Sequence, residues 1–308
     1  MRGTLKRMRN RKAFMTAAAG ALALVTGLTA PAYAQATAAP LTAAALTAAP
    51  QSATDAPAVY GKAAYLMDAT SGDVLFEKAG TERMPIASLT KTMTAYVVLK
   101  TAKPTDVVRI KREDVQYAVD GGGTTANLRP GDRITVGQLL YGLMLPSGAD
   151  AAHALARTYG PGVPGFVAKM NATARELGMN DTEYVNADGL PMPGSDGYST
   201  ARDQAVLAAK ALQVPLIKEV AGTRYHSLAA GDGHRSYSWR NTNRLLGTSG
   251  AIGLKTGFTR AAGYCLAFAG ESNGRLLVGV LLDESVSSRR FSTAENLLSW
   301  GASARQDL

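Results

Sequence analysis

Ile86-Ala-Ser-Leu-Thr-Lys-Thr-Met-Thr-Ala-Tyr96 sets a serine and a lysine three residues apart at the opening of an apolar segment. Leu89, Met93, Tyr96 and Val97 recur at helical spacing. The stretch therefore predicts a buried helix to about Lys100, with Ser88 at its N-terminus and Lys91 one turn on. That spacing puts the hydroxyl and the amine on one face. A serine attacks a carbonyl only once a base takes its proton, and a lysine desolvated among apolar neighbours loses enough basicity to be that base. The same residues also read as an N-capping serine followed by a solvated lysine, so the pair needs support from elsewhere in the chain.

Two further short signals supply it. Lys255-Thr256-Gly257, followed by Phe258, lies at the end of a predicted strand. It offers a cation for a carboxylate, a hydroxyl for a hydrogen bond and a glycine that lets a substrate backbone approach the sheet. Ser147, in Pro146-Ser-Gly-Ala-Asp150, stands where a new helix begins. With Asp150 three residues on it reads as a capping box, a role compatible with presenting its hydroxyl to a site in front of the helix.

Outward from these signals, Ala63 to Asp68 and Asp73 to Glu77 flank Thr70-Ser-Gly72 and predict a β-hairpin. Thr105 to Arg133 predicts loops and short elements. Its Gly121-Gly-Gly123 is no phosphate loop, since no strand precedes it and no Lys-Ser/Thr follows. Helices are expected at Val136 to Leu145, Gly148 to Tyr159, Phe166 to Leu177 and Ala201 to Leu212, and an ordered loop from Met179 to Tyr198. Ala251 to Gly257, Ala262 to Gly270 and Arg275 to Asp283 predict strands, the last two joined through Ser272-Asn-Gly274, and Phe291 to Gly301 a terminal helix. Strands at both ends and helices between them predict an α+β fold: one antiparallel sheet of about five strands, covered by the terminal helix and a helical insert.

The first 34 residues read as a secretory signal peptide. Six basic residues between Arg2 and Lys12 precede an apolar run from Ala13 to Leu28 and an Ala32-Tyr-Ala34 cleavage site. A retained anchor is the alternative, though the run is short and alanine-rich for a span. Cleavage removes six basic and no acidic residues, taking the formal charge from +9 to +3, so nothing electrostatic favours nucleic acid as a partner. Residues 35–57 are an Ala/Thr/Pro-rich spacer, and a single globular domain is expected over 58–308. Cys265, the only cysteine, reads as a buried thiol in a strand. His153, His226 and His234 are too scattered to form a metal site, and no cofactor is expected.

Ser88-x-x-Lys91, then Ser147, then Lys255-Thr-Gly257, in that order and in an exported chain, resemble the low-molecular-mass penicillin-binding proteins, the serine D-alanyl-D-alanine carboxypeptidases and transpeptidases. The likeness is nearest to their short actinobacterial DD-transpeptidases, through Gln138-Leu-Leu-Tyr-Gly-Leu-Met-Leu-Pro-Ser-Gly148 and Tyr264-Cys-Leu266. The resemblance implies a penicillin-binding-protein/β-lactamase-like fold with an all-helical subdomain. It also implies a monomer whose substrate is a peptidoglycan stem peptide ending in D-Ala-D-Ala and whose covalent inhibitors are β-lactams. In that scheme Ser88 is the nucleophile, Lys91 its base and Ser147 the proton carrier to the leaving amine. Lys255 and Thr256 hold the terminal carboxylate, and the N–H groups of Ser88 and Phe258 form the oxyanion hole.

One position departs from the pattern. The family usually has an asparagine two residues after the second serine, where this chain has Ala149. Loss of that amide predicts a slow enzyme, and Ala149→Asn is expected to speed acylation unless the pocket has closed around the smaller side chain. The alternatives are a wall-binding protein with weakened catalysis and a β-lactamase. The latter lacks support, because no clear E-x-x-x-N-type deacylation segment lies between Met179 and Tyr198.

Overall fold

The structure, a computed structural model, describes residues 56–303 except Asp232 and Ser249; the expected leader and nearly all of the spacer lie outside them. The hairpin forms as predicted, from β1 (Ala63–Asp68) and β2 (Val74–Lys78). At the other end of the chain β7 (Ala251–Thr259), β8 (Gly263–Ser272) and β9 (Arg275–Glu284) complete an antiparallel sheet in the order β2-β1-β9-β8-β7. β9 pairs with β1 through Tyr65↔Val280 and with β8 through Ala267↔Val280, so the hairpin is extended by the chain's last strand.

Every residue of β1 is buried, because both faces of the sheet are covered. Period-two alternation divides its side chains. Ala64, Leu66, Leu266, Phe268, Leu277 and Leu281 join Phe291, Ala294 and Leu297 of the terminal helix α8 (Arg289–Ser303). Tyr65, Met67, Ala267, Val278 and Val280 point the other way, into the larger core shared with the helices.

Those helices are α1 (Thr90–Leu99), α2 (Arg112–Asp120), α3 (Val136–Met144), α4 (Ala149–Tyr159), α5 (Gly162–Glu176), α6 (Ala201–Ala211) and α7 (Pro215–Gly222). α1 packs against α3, α4, α5 and α6, which is why eight of its ten residues are buried and why it has no polar face. Two small sheets, β3 (Val107–Arg109) with β4 (Arg133–Thr135) and β5 (Tyr225–Leu228) with β6 (Tyr237–Arg240), lie outside the main one.

The structure departs from the sequence expectations in places. Nine residues of the segment read as loops and short elements are helical, as α2, whose buried Asp114 accepts the backbone N–H of Lys111 at 2.8 Å. α7 fills a segment to which the pattern assigns nothing, with Pro215 in its first turn as the one legible sign. α5 begins four residues before Phe166. The Ser147–Asp150 capping box does not form. Gly148 is the N-cap, and Ser147 adopts φ 67°, turning its side chain out of the capping position. The Asp150 carboxylate instead accepts from Ala126 N, Leu128 N and Ala151 N at 2.8 to 3.0 Å.

Candidate active site

Ser88 is half-buried in a 3-10 turn, Ala87–Leu89, that leads directly into α1. Ala87, just before it, has φ 48°, a left-handed conformation that costs a residue with a Cβ on the order of 1–3 kcal/mol and is held by its surroundings. Lys91 is 1% exposed, so the solvated-lysine alternative is excluded. Its Nζ donates to Ser88 Oγ at 3.0 Å and to the carbonyl oxygen of Asp188 at 2.8 Å. Burial lowers its pKa to about 8, against the opposing pull of Asp188 and Asp150. An amine of lowered basicity within hydrogen-bonding distance of a hydroxyl is the arrangement a serine nucleophile needs.

β7 runs beside this turn. Gly257 makes the approach possible: a Cβ there would stand 2.9 Å from Ile86 O and 3.3 Å from Ser88 N. The side of Gly257 on which a side chain would stand is thus filled by the nucleophile's own segment. Lys255 is 1% exposed, and its Nζ donates to Thr256 O at 2.9 Å. Burial pushes its pKa well down, and the charges of Lys91 and Arg290 push it further. A buried lysine whose charged neighbours are cations gains its charge most readily when an anion arrives beside it. Thr256 is buried and shares a 2.7 Å hydrogen bond with the hydroxyl of Thr242. Phe258 is half exposed, its ring stacked on Tyr264 at 4.4 Å.

Ser147 is buried, and its Oγ has no hydrogen-bond partner among the described residues. Its carbonyl accepts from Thr124 Oγ1 at 2.7 Å, fixing the backbone while leaving the hydroxyl uncommitted. Ala149 is fully buried, its Cβ 3.0 Å from where a Cβ on Gly123 would be, and its N–H bonded to Thr124 O at 2.8 Å. It packs against the glycine segment and brings no polar group toward Lys91, whose amine donates to the Asp188 carbonyl.

Three residues of the neighbourhood carry no signature in the sequence. Asp188 lies in the 179–198 loop. Thr242 backs Thr256. Arg290, on α8, donates from Nη1 to Gly257 O at 2.9 Å and to Cys265 O at 3.2 Å, tying β7 to β8 at the height of the site. The Cys265 thiol is buried and its pKa is pushed up to about 12 by burial, so it is no rival nucleophile. Asn186 staples its own loop, donating to Leu190 O and accepting from Asp188 N and Gly189 N, while Glu183 is exposed. Among the described residues no group of three or more His, Cys, Asp or Glu side chains could hold a metal ion.

A serine–lysine pair beside a strand that carries a second buried lysine is an arrangement chemically suited to acyl transfer on the serine. Residues 50–286 match the family model for D-alanyl-D-alanine carboxypeptidase, and the chain belongs to that family. It is 36% identical to a D-alanyl-D-alanine carboxypeptidase of Streptomyces sp. (strain K15), over 80% of this chain and 88% of that one. It is 35% identical to the D-alanyl-D-alanine carboxypeptidase DacC of Escherichia coli, of whose length it spans 62%. Among solved structures, the Streptomyces K15 DD-transpeptidase superposes with a TM-score of 0.76 at 37% identity, over 80% of this chain and 98% of that one. A penicillin-binding protein homolog from Mycobacterium tuberculosis gives 0.75 at 31%, over 84% and 97%.

Proposed function

We propose that this chain is an exported, monomeric serine D-Ala-D-Ala carboxypeptidase or transpeptidase that acts on peptidoglycan stem peptides and is acylated by β-lactams. The observation that carries the reading is the Lys91–Ser88 contact of 3.0 Å, made by an amine whose pKa burial brings to about 8. In this scheme Ser88 Oγ bonds to the carbonyl carbon between the two D-alanines as its proton passes to Lys91. The C–N bond to the terminal D-alanine then breaks, and Ser147, with its hydroxyl uncommitted, carries a proton to the leaving amine. Lys255 and Thr256 hold the terminal carboxylate, and the N–H groups of Ser88 and Phe258 receive the oxyanion. Water releases the acyl group as an acid, and an amine acceptor yields a new peptide bond. Export is supported by the basic and apolar leader with its Ala32-Tyr-Ala34 site.

Intact-mass spectrometry after incubation with benzylpenicillin tests the reading. One adduct per chain, on the Ser88 peptide and absent in Ser88→Ala, is expected, together with D-alanine release from an N-acylated peptide ending in D-Ala-D-Ala. An adduct that persists in Ser88→Ala overturns the assignment. An adduct without D-alanine release marks a penicillin-binding protein that has lost turnover, and rapid loss of the adduct marks a β-lactamase.

A further inference from the structure

We propose that Asp188 is a positioning residue for Lys91: its main-chain carbonyl fixes the amine against Ser88, and its carboxylate, held in place by Tyr117, supplies the charge that the amine meets. The inference rests on Lys91 being the base of the reaction proposed above.

The two halves of Asp188 act at once. The carbonyl accepts from Lys91 Nζ at 2.8 Å, leaving the amine in line with Ser88 Oγ at 3.0 Å. The side chain is 1% exposed; its Oδ1 accepts from Leu190 N at 2.9 Å and from the Tyr117 hydroxyl at 3.3 Å. Oδ2 is buried with no hydrogen-bond partner among the described residues. A buried carboxylate oxygen without a partner is costly, and a nearby ammonium offsets that cost.

A brace holds this arrangement from the far side. Tyr117, on α2, stacks on His153, on α4, with ring centroids 4.5 Å apart. His153 Nδ1 shares a 2.7 Å hydrogen bond with Asp114 Oδ1, and Arg157 grips the fully buried Asp114 from both oxygens at 2.9 Å. The Tyr117 hydroxyl is therefore delivered to Asp188 from two packed helices.

Ser88 from its own segment and Asp188 from the loop contact Lys91, and Asp150 on α4 and Lys255 on β7 are the further charged groups that act on it. Asp150 has spent its carboxylate on three backbone N–H groups, and Lys255 repels. Asp188 is the one acidic group with an oxygen uncommitted. When Lys91 takes the serine proton it becomes an ammonium in a buried site, and the Asp188 carboxylate stabilises that state.

Asp188→Asn keeps the carbonyl and the shape and removes only the charge. With it, the acidic limb of the pH profile for acylation by benzylpenicillin is expected to move down by about one pH unit, with a lower plateau. A purely structural role would lower the rate at every pH and leave the limb in place; that result overturns the proposal. A second readout needs no acylation: with ¹³C-labelled lysine, the NMR resonance assigned to Lys91 through Lys91→Met should titrate at lower pH in Asp188→Asn than in the wild type. If the wild type is never acylated, the functional reading fails, yet this titration still decides the role of Asp188; equal titration midpoints overturn it. Should Asp188→Asn not fold, Tyr117→Phe retains the charge and removes the hydroxyl that partly neutralises it. Lys91 is then expected to titrate at higher pH, and an unchanged midpoint overturns the proposal.

Discussion

Gly189 lies against the carbonyl of Ala87, so close that a Cβ on it would fall 1.9 Å from that oxygen and 2.8 Å from Thr90 Oγ1. Its φ of 79° is one that side chains rarely adopt, and the contact brings the loop carrying Asp188 down onto the nucleophile's turn. Gly189→Ala is expected to cost roughly 3 kcal/mol of stability and, by lifting the Asp188 carbonyl off Lys91, to slow acylation about a hundredfold. Gly178→Ala is the control: φ there is 77° with no atom within 4 Å of a Cβ, so stability falls by less and acylation is unchanged. Chemical denaturation and β-lactam acylation of both variants check the pair, and equal effects would refute the steric account.

The acylation rate should follow the deprotonation of Lys91. Burial holds its pKa at about 8, so the rate is expected to climb about tenfold per pH unit from pH 6 toward 8 and then level off. A stopped-flow profile that is flat across that interval would remove Lys91 from the role of base.

The same burial makes Lys91 a stability defect. Its folded pKa lies below its ordinary value of 10.5, so between about pH 8 and 10.5 the unfolded chain binds more protons than the folded one. Stability therefore rises with pH across that window, and the deficit is present in full below about pH 8. Lys91→Met fills the same space without charge and is expected to raise stability at pH 7 by about 2 kcal/mol while abolishing acylation. Thermal unfolding of the two proteins at pH 7 checks this, and a lower Tm in Lys91→Met would contradict it.

Ala149→Asn is expected to slow acylation. Ala149 is fully buried, and a Cβ placed on Gly123 would stand 3.0 Å from its Cβ and 2.9 Å from a Leu190 methyl, so little room adjoins it. Fitting an asparagine into so crowded a site costs about 1–3 kcal/mol, and it would find Lys91 already engaged with Ser88 and Asp188. Acylation rate constants of the two forms decide it; a faster Ala149→Asn would show that the site still wants the amide.

What could be read from the sequence was what lies close along the chain. Ser88 and Lys91 fall within one helical turn, so their spacing alone predicts their contact, and the strands from Ala251 onward announce themselves by apolar runs and the Asn273-Gly274 turn. Asp188 could not be found that way. It meets Lys91 through a backbone carbonyl, which any residue possesses, across 97 positions of chain. Arg290 likewise gives no sign on α8 of the two carbonyls it ties together. The capping box at Ser147 shows the converse failure. Its local pattern is sound, but tertiary partners of Asp150 at Ala126 and Leu128 outbid the helix end. α2 and α7 escaped because helices of nine and eight residues owe their existence to what they pack on.

The insertion of β1 between β2 and β9 bears on when the protein can fold. Ala63 is paired with Leu282, so the central ladder of the sheet waits for almost the whole chain, whatever local helices form earlier. β7 and Arg290, which shape the site around Ser88, also belong to the last part of the chain. Under the export proposed above, a polypeptide threading outward N-terminus first carries its nucleophile across long before its sheet can close. On that route the groups that shape the site around Ser88 come together only after the last strands have crossed.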